Sequence, residues 1–365
     1  MNILIFIVIL LVLVLAHEWG HFFAAKKFGI RVDEFGFGFP PRALKLFKRG
    51  ETLFTLNWLP IGGFVKIFGE NPDEENTSGP DAARSFVNKP KWQQAIVLFA
   101  GIFMNFVLAW VLFSIGFMSG LPTSVGNAPK GYELQDQHLV VVSVLKDSPA
   151  EMAGLKSGDK IISATSVDGI LSEINPDTLK AFVVAHPSTE ISIGYLRGEE
   201  KGEIKIVPAS TASDKSPSIG IAMDEIGVAK LPFFAAFWEG LRLDWQVTKG
   251  TVVGLYNLIA GGIMGTGSFD SVTGPVGMVG IVGDAYKFGF AYLLSFAALI
   301  SVNLAIINLI PFPALDGGRL LFLLIEKIKG SRITPKIANT MNMIGFAILM
   351  IVMLLVTYHD IVKLL

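Results

Sequence analysis

The segment His17-Glu18-Trp19-Gly20-His21 ends a long apolar run and carries the residue types that zinc hydrolases use. Residues four apart lie on one face of a helix, so His17 and His21 can bind the same metal ion. In the H-E-x-x-H pattern that metal is zinc, and Glu18 is the general base for a bound water. Chance occurrence of so short a pattern is the competing explanation.

Four apolar segments must position this motif. Of the 365 residues, 52% are hydrophobic and 17% are charged, whereas about 25% are charged in a typical soluble domain. Such runs predict membrane-spanning helices, here in regions 1–25, 92–120, 290–318 and 341–358. The third span is expected to end near Ile310, and the rest of its region carries the motif around Asp316. The first could be a signal peptide, but it lacks a basic start and a small-residue cleavage site, which favours an uncleaved span.

The segments between these spans predict four further regions. Residues 26–91 combine a glycine-rich loop with two strand-like runs, which indicates a β-hairpin at the membrane surface. That hairpin is either a structural plug or an edge strand that pairs with an extended substrate. Residues 126–222 predict a soluble domain, and 228–289 predict amphipathic interfacial helices, with a true span as the alternative. Residues 319–340 form a basic loop.

The distribution of basic residues predicts the orientation. Residues 26–31 and the loop 319–340 are rich in Lys and Arg, so the positive-inside rule places both in the cytoplasm. Both termini and the domain 126–222 are then extracytoplasmic, and the histidine pair lies towards the cytoplasmic side. The net charge of −1 gives no indication of nucleic-acid binding.

Asp316 is the predicted third ligand. Catalytic zinc takes three protein ligands and keeps one position open, and the chain has no cysteine and only five histidines. His138 and His186 fall in the soluble domain, and His359 falls at the opposite membrane face. Asp316 follows a Pro-x-Pro break at the depth of the histidine pair, and the glycines after it permit a tight turn.

Asn303 and Asn308 are polar residues in the third apolar segment. Hydrogen bonding between helices is one role for them. Holding substrate backbone beside the metal is the other. The Pro-x-Pro break that follows exposes backbone groups, which is tolerated only beside protein or a cavity.

Three motifs together resemble bacterial site-2 proteases of the RseP/RasP type, peptidase family M50. They are His17-Glu18-x-x-His21, Asn308-x-x-Pro311-x-x-x-Leu315-Asp316-Gly317, and a PDZ signature, Ser148-Pro149-Ala150-x-x-Ala153-Gly154-Leu155-x-x-Gly158-Asp159. The resemblance covers essentially the whole chain. It implies a polytopic α-helical membrane protein with four transmembrane helices, a membrane-associated β-hairpin and one inserted extracytoplasmic PDZ domain of α+β type.

The resemblance also implies an activity. It is intramembrane zinc proteolysis with one Zn²⁺ per chain, in the bacterial inner membrane. The substrates are single-pass membrane proteins already trimmed by a site-1-type protease, such as anti-sigma factors, or signal-peptide remnants. Membrane lipid is a further partner, and nucleic acid is not one.

Substrate-binding residues follow from the same resemblance. They are Asn303, Asn308, Pro311, Gly63, Phe64, Val65 and Lys66. Within the PDZ domain, Ile219, Gly220 and Ile221 are the candidate ligand strand, which either binds a new carboxyl terminus or belongs to a domain that only filters substrates by size. The chain departs from the family at two points. Ile102 stands where the family commonly has the proline of a Gly-Pro-x-x-Asn motif, here Gly101 to Asn105. The chain also has room for only one PDZ domain, whereas the enterobacterial members carry two.

Two other classes of protein share some of these features. A catalytically silent membrane adaptor would carry the metal in a structural site, which requires a fourth ligand that no histidine at that depth supplies. A proton-coupled transporter would use intramembrane acids, but four spans without repeated halves are atypical of one.

Overall fold

The computed structural model describes residues 1–70, 74–209, 216–265 and 273–364. Parts of the predicted regions 26–91, 126–222 and 228–289 therefore lie outside the described residues. The chain divides into two compact units. The first comprises Met1–Ser114 and Gly240–Leu365, and the second comprises Ile115–Glu239.

The helices and strands of the described residues have the following bounds. The helices are α1 (Asn2–Lys27), α2 (Glu74–Ser78), α3 (Lys91–Ser119), α4 (Pro149–Met152), α5 (Pro176–Ala185), α6 (Phe233–Met264), α7 (Pro275–Phe288), α8 (Phe290–Leu309), α9 (Asp316–Lys329) and α10 (Pro335–Leu364). The strands are β1 (Val32–Arg49), β2 (Thr52–Ile67), β3 (Leu121–Ser124), β4 (Gln135–Val144), β5 (Lys160–Ser166), β6 (Gly169–Ile170), β7 (Ile191–Arg197), β8 (Glu200–Ile206) and β9 (Ile221–Ala229).

Four helices of the described residues, α1, α3, α8 and α10, are long and apolar enough to cross a membrane. This number confirms the prediction from composition. Helix α6 is not among them, and its interfacial position stays a prediction.

The third predicted region, 290–318, joins a span expected to end near Ile310 to the motif around Asp316, and the structure separates the two parts. Helix α8 stops at Leu309, and Ile310 is extended with ψ of 134°, as expected for residues that lead into prolines without backbone N–H groups. A separate helix, α9, begins at Asp316. The predicted connection 319–340 is largely helical, because most of it belongs to α9 and to the first turns of α10. Its cytoplasmic position stays a prediction.

A β-hairpin packs against α1 in the first unit. Its strands β1 and β2 are antiparallel and bent, so that residues 34–37 of β1 pair with 53–56 on one side and with 63–66 on the other. Aromatic rings fill the space between sheet and helix, since Phe35 lies within 6 Å of Phe22 and of Phe54. The hairpin is thereby held beside the helix that carries the histidine pair.

The second unit is a seven-stranded antiparallel sheet with the order β3-β9-β4-β5-β7-β8, in which β6 pairs with β5. Its core includes Leu139, Ile161, Leu179 and Ile193, all nearly inaccessible to solvent. This unit is longer than the predicted 126–222 because β3 pairs with the end of β9. Its assignment as a PDZ domain stays a prediction.

Candidate metal centre

Helix α1 brings His17 and His21 to one face, as the four-residue spacing predicts. Both residues are buried, with 9% and 6% of their surface exposed. Glu18 is half-buried on the neighbouring face and lines the same cavity. A buried histidine pair in an apolar helix is costly unless its nitrogens have partners.

Asp316 completes a cluster of three potential metal ligands, whose ligand atoms lie within 4.8 Å of one another. Its Oδ2 is 3.0 Å from Nε2 of His17 and 3.3 Å from Nε2 of His21. The two Nε2 atoms are 3.1 Å apart. Ligands of a tetrahedral zinc ion, each about 2.0–2.1 Å from it, are roughly 3.3 Å apart. The donor set and its spacing therefore fit zinc.

His21 is already oriented for metal binding. Its Nδ1 lies 2.8 Å from the carbonyl oxygen of Val97 on α3. A carbonyl only accepts a hydrogen bond, so Nδ1 carries the proton and the lone pair of Nε2 points at the cluster.

Helix α3 approaches this ring closely enough to require a glycine. A Cβ built on Gly101 would lie 2.2 Å from Nε2 of His21. The glycine leaves the space that the ring occupies.

The segment between α8 and α9 turns sharply to place Asp316. Ala314 has φ of 77°, a left-handed conformation that is uncommon for a residue with a Cβ. A Cβ on Gly317 would lie 2.2 Å from the carbonyl oxygen of Ile310, so the first turn of α9 fits against the end of α8 only with glycine there. The glycines after Asp316 thus serve the tight turn that the sequence indicated.

A cavity of about 550 Å³ opens beside the three ligands. Three of the four hairpin residues predicted to bind substrate, Gly63, Phe64 and Val65, line it, and Lys66 does not. A Cβ built on Gly63 would lie 3.8 Å from Cγ of Glu18, so the hairpin backbone packs against this side chain. The hairpin therefore forms one wall of the cavity and contacts the candidate general base.

The predicted substrate residues near the third span are divided. Asn308 lines the cavity. Asn303 does not, and its Oδ1 accepts a hydrogen bond of 3.1 Å from the Thr251 hydroxyl on α6. Pro311 is also not part of the lining. The structure thus brings Asn308 to the metal centre and places Asn303 between helices, the two roles that sequence analysis left open.

Two charged residues of the cavity were missed by sequence reasoning. Arg319 lines it and forms an ion pair with Glu70, which follows β2. Burial lowers the pKa of Arg319, and attraction to Glu18 opposes that shift. The available signal was helical spacing, because Arg319 lies three residues after Asp316 and hence on the same face of α9.

In the second unit, the predicted ligand segment lies at the start of β9. The Ile219 side chain is part of the hydrophobic core, and the carbonyl oxygens of Ile219 and Gly220 accept bonds from Ala150 and Leu145. Strand β9 pairs with β4 along its length but with β3 only from Ile226 onward. Within the described residues, one edge of 221–225 has no strand partner, and helix α5 packs against this strand.

Comparison with known proteins matches residues 5–352 of this chain to the family model for peptidase family M50. The chain is 31% identical to the zinc metalloprotease RasP of Shouchella clausii, over 100% of the chain and 99% of the relative. It is 30% identical to the regulator of sigma-W protease RasP of Bacillus subtilis, with the same coverage. A third relative, the zinc metalloprotease RasP of Geobacillus kaustophilus, is 29% identical over 99% of this chain and 98% of its own length.

Proposed function

Because this chain belongs to peptidase family M50 and is a zinc metalloprotease of bacterial membranes, we propose that it cleaves membrane-embedded segments of other proteins. The substrates are single-pass membrane proteins that another protease has already trimmed, of the anti-sigma-factor type, or signal-peptide remnants. One observation carries this proposal. The three candidate ligands and Glu18 line a single cavity, and three of these four residues lie on α1, a helix that is long and apolar enough to cross a membrane.

His17, His21 and Asp316 would hold the zinc ion. When bound, zinc polarises a carbonyl group and makes water more acidic. Glu18 faces the cavity and accepts the proton of the attacking water, then passes it to the departing amide nitrogen. The backbone at Gly63 packs against this side chain and limits where the carboxylate can lie.

A substrate helix must unwind before its carbonyl groups can react, because they are occupied by hydrogen bonds within the helix. We propose that the extended substrate pairs as an added β-strand with the edge of β2 at Gly63, Phe64 and Val65. Among the described residues this part of β2 pairs with β1 only. Asn308 lines the same cavity, where its side-chain amide can form a hydrogen bond with a backbone group of the substrate.

The variant Glu18→Gln tests the activity. Its three ligands are intact, so it should retain zinc and lose about 10²–10⁴-fold in cleavage of a membrane-segment substrate. Uncleaved stubs should accumulate in the membrane proteome of cells that carry it. The exposed residue Glu199 provides the matched control, since Glu199→Gln makes the same chemical change on the surface of the second unit. Unchanged cleavage by Glu18→Gln would refute the role of Glu18 as general base. Cellular function retained in Glu18→Gln, with no cleavage by the unchanged protein either, would favour the silent adaptor.

The hairpin assignment is tested at Val65. Proline there removes an N–H and should reduce cleavage more than Val65→Ala does, with zinc content unchanged in both. Equal cleavage by the two variants would contradict pairing of the substrate with this edge.

We propose that the second unit is a PDZ domain in which the open edge of β9, starting at Ile221, meets the substrate or shields the site from bulky ones. Removal of residues 121–229, which run from the start of β3 to the end of β9, separates these roles. A docking domain predicts loss of cleavage of trimmed substrate, whereas a size filter predicts cleavage of untrimmed substrate. Unchanged selectivity for trimmed substrate would contradict both.

We further propose that both termini and the second unit face the outside of the inner membrane and that the metal centre lies towards the cytoplasm. The basic segments described above support this orientation. The chain has no cysteine, so single cysteines introduced at Ser218 and at Lys329 can be labelled without background. Labelling of the Ser218 position only from the outside and of the Lys329 position only from the inside is the expected result.

A further inference from the structure

Asn105 on α3 is a buried polar residue that the proposed mechanism does not use. Only 1% of its surface is exposed. Its side-chain amide nitrogen lies 3.4 Å from Nδ1 of His17. Its amide oxygen, Oδ1, is buried and has no hydrogen-bond partner among the described residues. An unsatisfied buried oxygen beside a candidate ligand calls for a physical explanation.

The two candidate histidine ligands differ in what faces their Nδ1 atoms. A histidine that binds metal through Nε2 carries its proton on Nδ1, and that N–H needs an acceptor. His21 has one, the carbonyl oxygen of Val97 at 2.8 Å. Facing Nδ1 of His17 is the side chain of Asn105, with its NH₂ group nearer than its oxygen.

Rotation of the Asn105 amide by 180° exchanges its oxygen and nitrogen with almost no change in shape. Since Oδ1 has no partner in the present orientation, no hydrogen bond of that atom opposes the exchange. After it, Oδ1 accepts the bond from Nδ1–H of His17. The lone pair of Nε2 then points towards Asp316, whose Oδ2 is 3.0 Å away.

The main chain of Asn105 is itself fixed. Its carbonyl oxygen accepts a 2.8 Å hydrogen bond from the hydroxyl of Ser301 on α8. Ser301 is fully buried. The residue therefore stands at a point where α3 is bonded to α8 while its side chain reaches α1. The Ser301 bond joins the two helices through the main chain of Asn105, and any residue at position 105 could accept it. Helix packing therefore does not explain why the side chain there is an asparagine.

We propose that Asn105 is a positioning residue that accepts a hydrogen bond from Nδ1–H of His17 and thereby presents Nε2 of His17 to zinc. This inference rests on the proposed function, because it assumes zinc at the cluster of His17, His21 and Asp316. It assigns to Asn105 the role that the Val97 carbonyl performs for His21. Partners of this kind affect metal affinity by about 10–100-fold.

The test measures zinc affinity of the purified full-length protein in detergent micelles by competition with a chelator. Asn105→Leu keeps the shape and removes the acceptor, and it should bind zinc about 10–100-fold more weakly. Asn105→Asp restores an acceptor and should bind within about threefold of the unchanged protein, since a carboxylate is the commonest partner of a ligating imidazole. Ser301→Ala is the matched control, which loses the bond to the Asn105 main chain and should bind zinc normally.

Cobalt supplies a second readout. With Co²⁺ in place of zinc, the visible absorption bands should change in Asn105→Leu and return in Asn105→Asp. Asn105→Ala adds no bulk and replaces the leucine variant if that variant does not fold. Normal zinc affinity in the variants without an acceptor, or equal losses in these and in Asn105→Asp, would overturn the proposal. Failure of the unchanged protein to bind zinc would instead refute the proposed function.

Discussion

Two carboxylates, one in each unit, are held at low exposure in opposite ways. Asp159 in the second unit accepts bonds from Nε and Nη2 of Arg197 at 2.7 and 2.6 Å, and a third from the Lys156 main chain at 2.8 Å. Asp316 in the first unit faces Nε2 of His17 and of His21. Asp159 is satisfied by a cation of its own unit, whereas an oxygen of Asp316 and the Nε2 atoms of both histidines converge on one point.

The difference distinguishes a structural carboxylate from a binding site. A buried charge that is fully paired stabilises the fold around it, and its loss leaves an uncompensated partner. Several acceptor atoms that converge without a cation repel one another until a cation binds. We therefore expect changes at Asp159 to appear in stability and changes at Asp316 to appear in metal binding.

Asp316→Asn should have the largest effect. The amide is similar in shape but is a poorer zinc ligand, so zinc retention and cleavage should both fall by more than about 100-fold, the upper end for residues that only support a ligand. Zinc content and cleavage of a membrane-segment substrate in micelles provide the measurements. If the variant kept zinc and activity, the cluster would not be the metal centre.

Gly101→Ala should have the next largest effect. The added methyl group would lie 2.2 Å from Nε2 of His21, so the ring must shift and zinc affinity should fall by about 10–100-fold, as when a supporting residue is lost. Gly250→Ala in α6 is the control, because its Cβ meets nothing within 4 Å. Equal zinc affinity in the two variants would show that the close approach of α3 does not position the histidine.

Asp159→Asn should reduce stability without affecting zinc. Removing the charge weakens both bonds to Arg197, and we expect the second unit to lose about 2 to 3 kcal/mol. Hydrogen exchange of the amides in the second unit measures this loss. The exposed residue Asp168 supplies the control, and Asp168→Asn should change little. A change in zinc affinity in Asp159→Asn would contradict the separation of the two carboxylates.

Asp244→Asn should have the smallest effect and the clearest dependence on pH. Burial raises the pKa of Asp244 to about 6, and its Oδ1 has no hydrogen-bond partner within the described part of the chain. A carboxyl group whose pKa is raised in the folded state stabilises it most below about pH 4, and this advantage is lost as pH rises through 6.

The asparagine variant has no such titration. It should be more stable than the unchanged protein by about 1 to 2 kcal/mol at pH 7.5 and nearly equal to it at pH 4, because part of the gain is offset by burial of the amide. Thermal unfolding in micelles at the two pH values measures the difference. A difference that does not depend on pH would show that the charge of Asp244 is not the cause.

Much of the architecture could be predicted from composition. The existence of α1, α3, α8 and α10 follows from the lengths of the apolar runs, because backbone groups in a bilayer must be satisfied within a helix. The third span was predicted to end near Ile310, one residue past the end of α8 at Leu309. Hydrophobicity continues through Ile310, Phe312 and Ala314, but the prolines between them end the helix at Leu309.

The supporting residues of the site could not be predicted. Nothing local to Asn105 indicates that it meets His17, 88 residues away. The same holds for the pairing of Thr251 with Asn303 and of Glu70 with Arg319. Each depends on which faces of separate helices come together, and an apolar helix has many faces of similar composition.

By itself, the sequence determined that His17 and His21 share a helix face with Glu18 next to them, because helical periodicity is a local property. It also determined that the remaining ligand had to be a carboxylate, because the other histidines fall in distant segments. Only the tertiary structure decided that Asp316, 299 residues from His17, brings its oxygen to within 3.0 Å. That distance results from the packing of α1, α3 and α8 and from the turn before α9, where glycines allow close approach.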